Sequence, residues 1–173
     1  MVLEATRSQT WLRLVGWATI ASLAACNNES AGRLPSVGQQ AVPCSAAARI
    51  VGNAPAPNPA TDTVVLGAVA LPSERGATLT AVPREGAFTT KIGILVRSRS
   101  ALAIEILSSN PAITTTFAAA TTRSFAIGPC ESADMWLAFP TTWETPEPIC
   151  IRVRVFVGEE HRDVGLPVGK PCT

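Results

Sequence analysis

Residues 149–157 read Ile149-Cys150-Ile151-Arg152-Val153-Arg154-Val155-Phe156-Val157, and this stretch decides the fold class. Aliphatic residues occupy the odd positions, whereas Arg152 and Arg154 occupy even ones. Successive side chains of a β-strand point to opposite faces, so the alternation predicts a strand with one buried and one solvated side. The turn Gly158-Glu159-Glu160 leads into a second alternating segment, His161 to Leu166, which completes a predicted hairpin.

Shorter segments of strand character precede this hairpin. They span residues 63–71, 91–97, 101–107, 114–117, 122–127 and 135–139, and the last is bounded by Pro140. Many short strands with frequent turn residues, and no long amphipathic helix, are typical of an antiparallel sandwich. We therefore predict an all-β domain over residues 62–173, an antiparallel, immunoglobulin-like β-sandwich.

The N-terminus has the pattern of an export signal. Arg7 and Arg13 precede an apolar run over residues 14–22, which ends in Leu23-Ala24-Ala25-Cys26. The run is shorter than the roughly 20 apolar residues that a membrane-spanning helix needs. This predicts a signal peptide over residues 1–25, and a tether over residues 26–61 with a short strand at residues 46–51.

The motif Leu23-Ala24-Ala25-Cys26 resembles the lipobox of bacterial lipoproteins. The resemblance implies that the peptide is cut before Cys26 and that palmitate-type acyl chains are attached there. Two acyl chains are enough for stable membrane anchoring. An ordinary signal peptide without a lipid is the alternative, because Ala24 and Ala25 also suit that cleavage.

Charge argues against a nucleic-acid partner. Without residues 1–25, twelve basic and twelve acidic residues remain, and no run of like charge exceeds two residues. Phosphate binding depends on clustered Lys and Arg, which this pattern lacks. The membrane, reached through the lipid, is the expected partner, together with an envelope protein or glycan.

Four cysteines remain after Cys26, namely Cys44, Cys130, Cys150 and Cys172. An even number in an exported chain predicts two disulfides, and three pairings are possible. We favour Cys130–Cys150, which would join neighbouring strands, and Cys44–Cys172, which would tie the two ends of the domain together. The wide spacings make a structural zinc site improbable, and no cofactor is expected.

Residues 124–172 resemble a group of small exported proteins from high-GC actinobacteria. The shared elements are an arginine-led strand ending at Cys130, Trp136-Leu137 with Phe139, then Trp143, Pro148 and Cys150, and a closing Val168-Gly169-Lys170-Pro171-Cys172. The resemblance implies export, disulfides and a β fold, but no catalytic residue.

Two surfaces are candidates for binding. Trp143 lies in a predicted Thr/Pro/Glu loop, where an exposed Trp would anchor a glycan or protein, whereas Trp136 is expected in the core. Arg152 and Arg154 form an outward stripe on the best strand, with Arg162 opposite, although simple solvation is the default interpretation.

Evidence for catalysis is weak. His161 is the only histidine, and Asp163 would share its face in a strand, but no Gly-x-Ser-x-Gly elbow is present. A solvated hairpin tip explains Glu159, Glu160, His161 and Asp163 better than a metal site does. The carboxylate pairs Glu144/Glu147 and Glu131/Asp134 are better explained as solvated loop residues.

The sequence therefore predicts a non-enzymatic, lipid-anchored module on the extracytoplasmic face of the cell membrane. It would act as a binding or structural module of unknown ligand. One alternative is a small envelope hydrolase that uses His161, and another is a stalk module without a ligand.

Overall fold

Short strands make up most of the described chain. The computed structural model describes residues 39–48, 56–72, 78–117, 119–130 and 133–173. The strands are β1 (Gln40–Val42), β2 (Asp62–Val65), β3 (Val69–Pro72), β4 (Val82–Arg84), β5 (Ala87–Arg97), β6 (Leu102–Ile106), β7 (Thr114–Phe117), β8 (Ala120–Thr122), β9 (Ser124–Ile127), β10 (Trp136–Thr145), β11 (Ile149–Val157) and β12 (Glu160–Val168). A 3-10 turn, Cys44–Ala46, follows β1, and the described residues form no α-helix.

Two sheets pack face to face. The first has the strand order β1-β9-β6-β11-β12, and the second has β2-β3-β5-β10-β7-β8, with β4 also paired to β5. All pairs of these strands are antiparallel except β1 with β9. The predicted all-β antiparallel sandwich is therefore confirmed. It holds more strands than the seven to nine of an immunoglobulin domain, so the likeness is one of architecture.

The core lies between the sheets and follows the alternation of the strands. Ile151, Val153 and Val155 of β11 are at most 1% exposed, whereas Arg152 faces solvent. Phe117 of the second sheet and Phe125 of the first meet with ring centroids 4.6 Å apart. Each large apolar side chain buried in this way contributes about 1.5–3 kcal/mol, so the alternation that predicted β11 also supplies the core.

The segment predicted as one strand over residues 63–71 is a hairpin. Strand β2 pairs antiparallel with β3, with Val65 opposite Val69. At the bend, Leu66 and Gly67 have φ values of 50° and 67°. Positive φ at both central residues is the geometry of the tight turns that match strand twist. An unbroken apolar run concealed this turn, because Leu rarely adopts positive φ.

The favoured cysteine pairing is wrong: the disulfides join Cys44 to Cys130 and Cys150 to Cys172. Strands β1 and β9 are parallel neighbours, with Val42 opposite Ile127, so their following residues emerge together at one end of the sandwich. Cys44 and Cys130 both lie just beyond those ends. The β11–β12 hairpin places Cys150 opposite Pro167, and the chain after β12 brings Cys172 back to Cys150.

The strand inside the predicted tether lies earlier than expected. It is β1, Gln40–Val42, whereas Ala46 belongs to the 3-10 turn and residues 49–51 lie outside the described residues. The predicted signal peptide and the predicted lipidation site, Cys26, also lie outside them. The predicted tether therefore contains a strand of the first sheet near its middle.

Candidate functional site

A shallow groove with threonine and charged side chains along its floor and wall crosses the solvent-facing side of the second sheet. It consists of three adjoining concavities of about 590, 370 and 340 Å³. We call it the threonine groove and define its floor by six residues of β5, β7 and β10: Thr89, Lys91, Gly93, Thr116, Pro140 and Thr142.

Strand register brings these side chains together. Thr142 of β10 lies opposite Lys91 of β5 on one side and Thr116 of β7 on the other. Neighbouring strands are about 4.8 Å apart, so the three side chains form a row across the sheet. The intervening Ile92, Thr141 and Trp143 point inward and are buried. The Thr116 and Thr121 hydroxyls lie 3.1 Å apart in a hydrogen bond, which extends the row to β8.

Gly93 and Pro140 face each other across β5 and β10 and form a flat step in the floor. The sequence predicted that a strand ends before Pro140, but β10 continues to Thr145. The Ala138 carbonyl accepts a hydrogen bond from the Ala48 amide, so the backbone groups of Ala138 point away from β5. The same holds for every second residue of β10 counted from Ala138. Pro140, two residues after Ala138, therefore also directs its backbone away from β5. It lies before Thr142, the first residue of β10 that pairs with β7. Its missing N–H therefore costs no ladder hydrogen bond.

One wall of the groove is the hairpin of β4 and β5. Its turn is Glu85-Gly86, where φ is 40° and 87°. Arg84 on this wall and Lys91 in the floor supply positive charge, and Glu85 and Glu144 line the same concavities with negative charge. The charged side chains that line the groove are therefore balanced, two positive against two negative.

Trp136 lies on the same face, at the other end of β10, and not in the core as predicted. It is half-buried, and the guanidinium of Arg97 lies 5.2 Å from its ring centroid. Arg97 is opposite Trp136 in the register and also pairs with Asp134 at 3.0 Å. The even positions of β10 face solvent, which explains why Trp136 and Thr142 share one surface.

The prediction that Trp143 is an exposed anchor is wrong. Trp143 lies in β10 rather than in a loop, at an inward position, and is fully buried. Its indole Nε1 donates to the Thr141 hydroxyl at 2.8 Å, and that hydroxyl donates to the Ile92 carbonyl at 2.8 Å. Because Trp143 is fully buried, this side chain contacts no external partner, and its removal would leave a cavity in the core.

Arg152 and Arg154 face outward on the first sheet, as the alternation predicted. Arg154 donates two hydrogen bonds to Asp163, of 2.7 and 2.9 Å, and these lower the pKa of the Asp163 carboxyl below its ordinary value. The same contact raises the pKa of Arg154. Arg152 is exposed beside this pair. Arg162 lies opposite the inward-facing Val155, one register position away from Arg154, so Arg162 does not join the outward stripe.

His161 is exposed at the hairpin tip and tilts against Phe156, with ring centroids 5.8 Å apart. Both carboxylate oxygens of Asp163 accept from Arg154, so Asp163 holds an arginine rather than an imidazole. Among the described residues, no group of three or more His, Cys, Asp or Glu is close enough to hold a metal ion.

The threonine groove is not visible in the sequence pattern because its floor residues come from three strands. The available signal was Gly93 within an apolar strand and Pro140 beside Thr141-Thr142. No family model matches the chain, and neither a curated protein nor a solved structure matches it. Within the described ranges, no helix has the length and apolar character to cross a membrane.

Proposed function

We propose that this protein is a lipid-anchored module of the cell envelope that binds an envelope component without altering it chemically. The observation that carries the proposal is the threonine groove, a broad concavity with hydroxyl, ammonium and carboxylate side chains at regular strand spacing. Such a surface offers many modest polar contacts and no enclosed chamber in which water could be excluded from a reaction.

Two disulfides support an extracytoplasmic location, because such bonds form and persist in oxidising compartments. The sequence Leu23-Ala24-Ala25-Cys26 supports a lipid on Cys26. The arrangement at His161 favours binding over the alternative of hydrolysis, since its neighbour Asp163 is already engaged by Arg154.

Retention by isolated cell-wall material tests the binding proposal. Full-length protein extracted from membranes should cosediment saturably with washed wall fractions, and Thr142→Val should weaken that retention. A change of Ala41 to Val on the exposed β1 edge adds a similar apolar group to the other sheet and should have no effect. Absence of saturable retention would contradict the proposal and would favour a stalk without a ligand.

Anchoring is tested separately by Cys26→Ala. Because the thiol is the acyl acceptor implied by the lipobox, this variant should leave the membrane pellet and appear in the soluble exported fraction. Asn28→Ala, two residues further on, should stay with the membrane. Wild-type protein whose mature N-terminus carries no acyl chain in mass spectrometry would refute the anchor.

The hydrolase alternative makes a distinct prediction. If His161 were catalytic, the wild-type protein would turn over at least one substrate of a broad hydrolase panel, and His161→Ala would abolish that turnover. We expect no turnover by the wild-type protein.

A further inference from the structure

Nothing in the described fold explains why residue 93 is a glycine. Gly93 lies in the middle of β5, an eleven-residue strand whose register with β10 runs unbroken from Phe88 to Arg97. Its φ is not positive, and a methyl group built on it would meet no atom within 4 Å. Glycine weakens a strand interior, and without a bulge or a bend it often marks the close approach of a ligand.

The missing side chain keeps the groove open. Gly93 and Pro140 form the flat step, and the concavity above them is bordered by Lys91, Thr116 and Thr142. Any larger side chain at position 93 would project outward between these groups, because the odd positions of β5 face solvent. Without a side chain at position 93, the concavity stays open between Lys91 and Pro140.

We propose that the threonine groove binds a linear, neutral polysaccharide that lies parallel to β10 and passes over Gly93 of the neighbouring strand β5. This inference rests on the proposed binding function and names its ligand class. The Thr142 hydroxyl and the Lys91 ammonium would hydrogen-bond the sugar hydroxyls, and the flat step of Gly93 and Pro140 would let a sugar ring approach the sheet closely. The groove floor runs from Thr89 to Gly93 along β5, so the contact would extend over about 13 Å.

The chemistry of the face favours a glycan over other ligands. Hydroxyls of Thr89 and Thr142 both donate and accept hydrogen bonds, as sugar hydroxyls do. Positive Arg84 and Lys91 are matched by negative Glu85 and Glu144, which suits an uncharged polymer better than a polyanion. A peptide that adds a strand needs an open sheet edge, whereas at Thr142 in the groove floor β10 is paired on both sides, with β5 and with β7.

The experiment uses Gly93→Val in the full-length protein. Valine favours β-structure and its Cβ meets no atom within 4 Å at this exposed position, so the variant should unfold at the same or a higher temperature than wild type. The added side chain should obstruct the groove and lower the affinity for the neutral polysaccharide fraction of the cell envelope at least tenfold. Cellohexaose, maltohexaose and chitohexaose serve as defined competitors, and Ala41→Val is the matched control.

The outcomes separate this inference from the function on which it rests. Wall retention that survives Gly93→Val, or that disappears after protease treatment of the wall material, would overturn the glycan and leave a binding module with another ligand. Failure of the neutral polysaccharide fraction and of all three oligosaccharides to bind would also overturn it. Failure of the wild type to bind any wall fraction would remove both proposals.

Discussion

At the scale of single residues, two adjacent threonines of β10 have opposite roles. Thr141 points inward and links the Trp143 indole to the Ile92 carbonyl, whereas Thr142 points outward into the groove. The strand period of two residues is the physical reason. A pair of identical residues in the sequence therefore becomes one structural and one surface group.

The Thr141→Val variant should be destabilised by about 1–3 kcal/mol, because valine keeps the shape of threonine but leaves the buried indole N–H without an acceptor. Thr142→Val is the matched control and should change the unfolding free energy by less than about 0.5 kcal/mol. Urea unfolding followed by Trp fluorescence measures both. Equal effects of the two variants would contradict the assigned inward and outward directions.

Asp163 makes stability depend on acid pH. Its folded-state pKa is lowered by Arg154, so the ion pair stabilises the fold above the unfolded carboxyl pKa of about 3.9 and loses that contribution as pH falls through the lower folded value. Wild type should therefore exceed Asp163→Asn in stability at neutral pH. The difference should shrink below about pH 4 in denaturant titrations, and a difference that stays constant down to pH 2 would argue against the pair.

At the scale of elements, two glycines, one in a turn and one inside a strand, serve opposite purposes. Gly67 has a φ of 67° in the β2–β3 turn, where other residues are strained, whereas Gly93 lies in ordinary extended backbone. Gly67 is thus required by the fold. Gly93 is not required by the fold, so we look for the reason for a glycine here in the surface above it.

Substitution of each glycine by alanine tests this contrast. Gly67→Ala should cost about 1–2 kcal/mol, the penalty of a left-handed conformation for a residue with a Cβ. Gly93→Ala should instead stabilise the protein by about 0.5–1 kcal/mol, because alanine loses less chain entropy on folding. Thermal unfolding of both variants distinguishes them, and a loss of stability in Gly93→Ala would show that the fold itself needs this glycine.

The element scale also shows where local patterns succeed. Strand β11 has the predicted bounds, and the Thr-rich region over residues 114–127 forms strands despite its many alanines. The hairpin at Leu66-Gly67 and the passage of β10 through Pro140 were missed. Both depend on backbone conformation and on which neighbour a strand has, and a one-dimensional pattern contains neither.

At the scale of the whole molecule, the disulfides tie distant parts of the chain to the two-sheet framework. Cys44–Cys130 spans 86 residues and Cys150–Cys172 spans 22. In the chain-entropy model these loops correspond to about 4–5 and about 3 kcal/mol of stabilisation. The longer bridge holds β1 against the first sheet, where it is paired only with β9.

Loss of the Cys44–Cys130 bridge should therefore cost more than loss of the other one. The double variants Cys44→Ala/Cys130→Ala and Cys150→Ala/Cys172→Ala remove one bridge each without leaving a free thiol, and denaturant unfolding ranks them. Peptide mapping of the oxidised protein should recover the two bridges as paired here. Recovery of a peptide linking Cys130 to Cys150 would contradict the structure directly.

The sequence by itself determined the class of architecture and the expectation of export. Alternation in β11, frequent turn residues and an even set of cysteines after Cys26 are local or countable features, and local physics suffices to interpret them. Only the tertiary structure decided which cysteines pair, that Trp143 is buried while Trp136 is not, and that the threonine groove exists. Each of these depends on strand register and on contacts between residues far apart in the chain, such as the parallel pairing of β1 with β9.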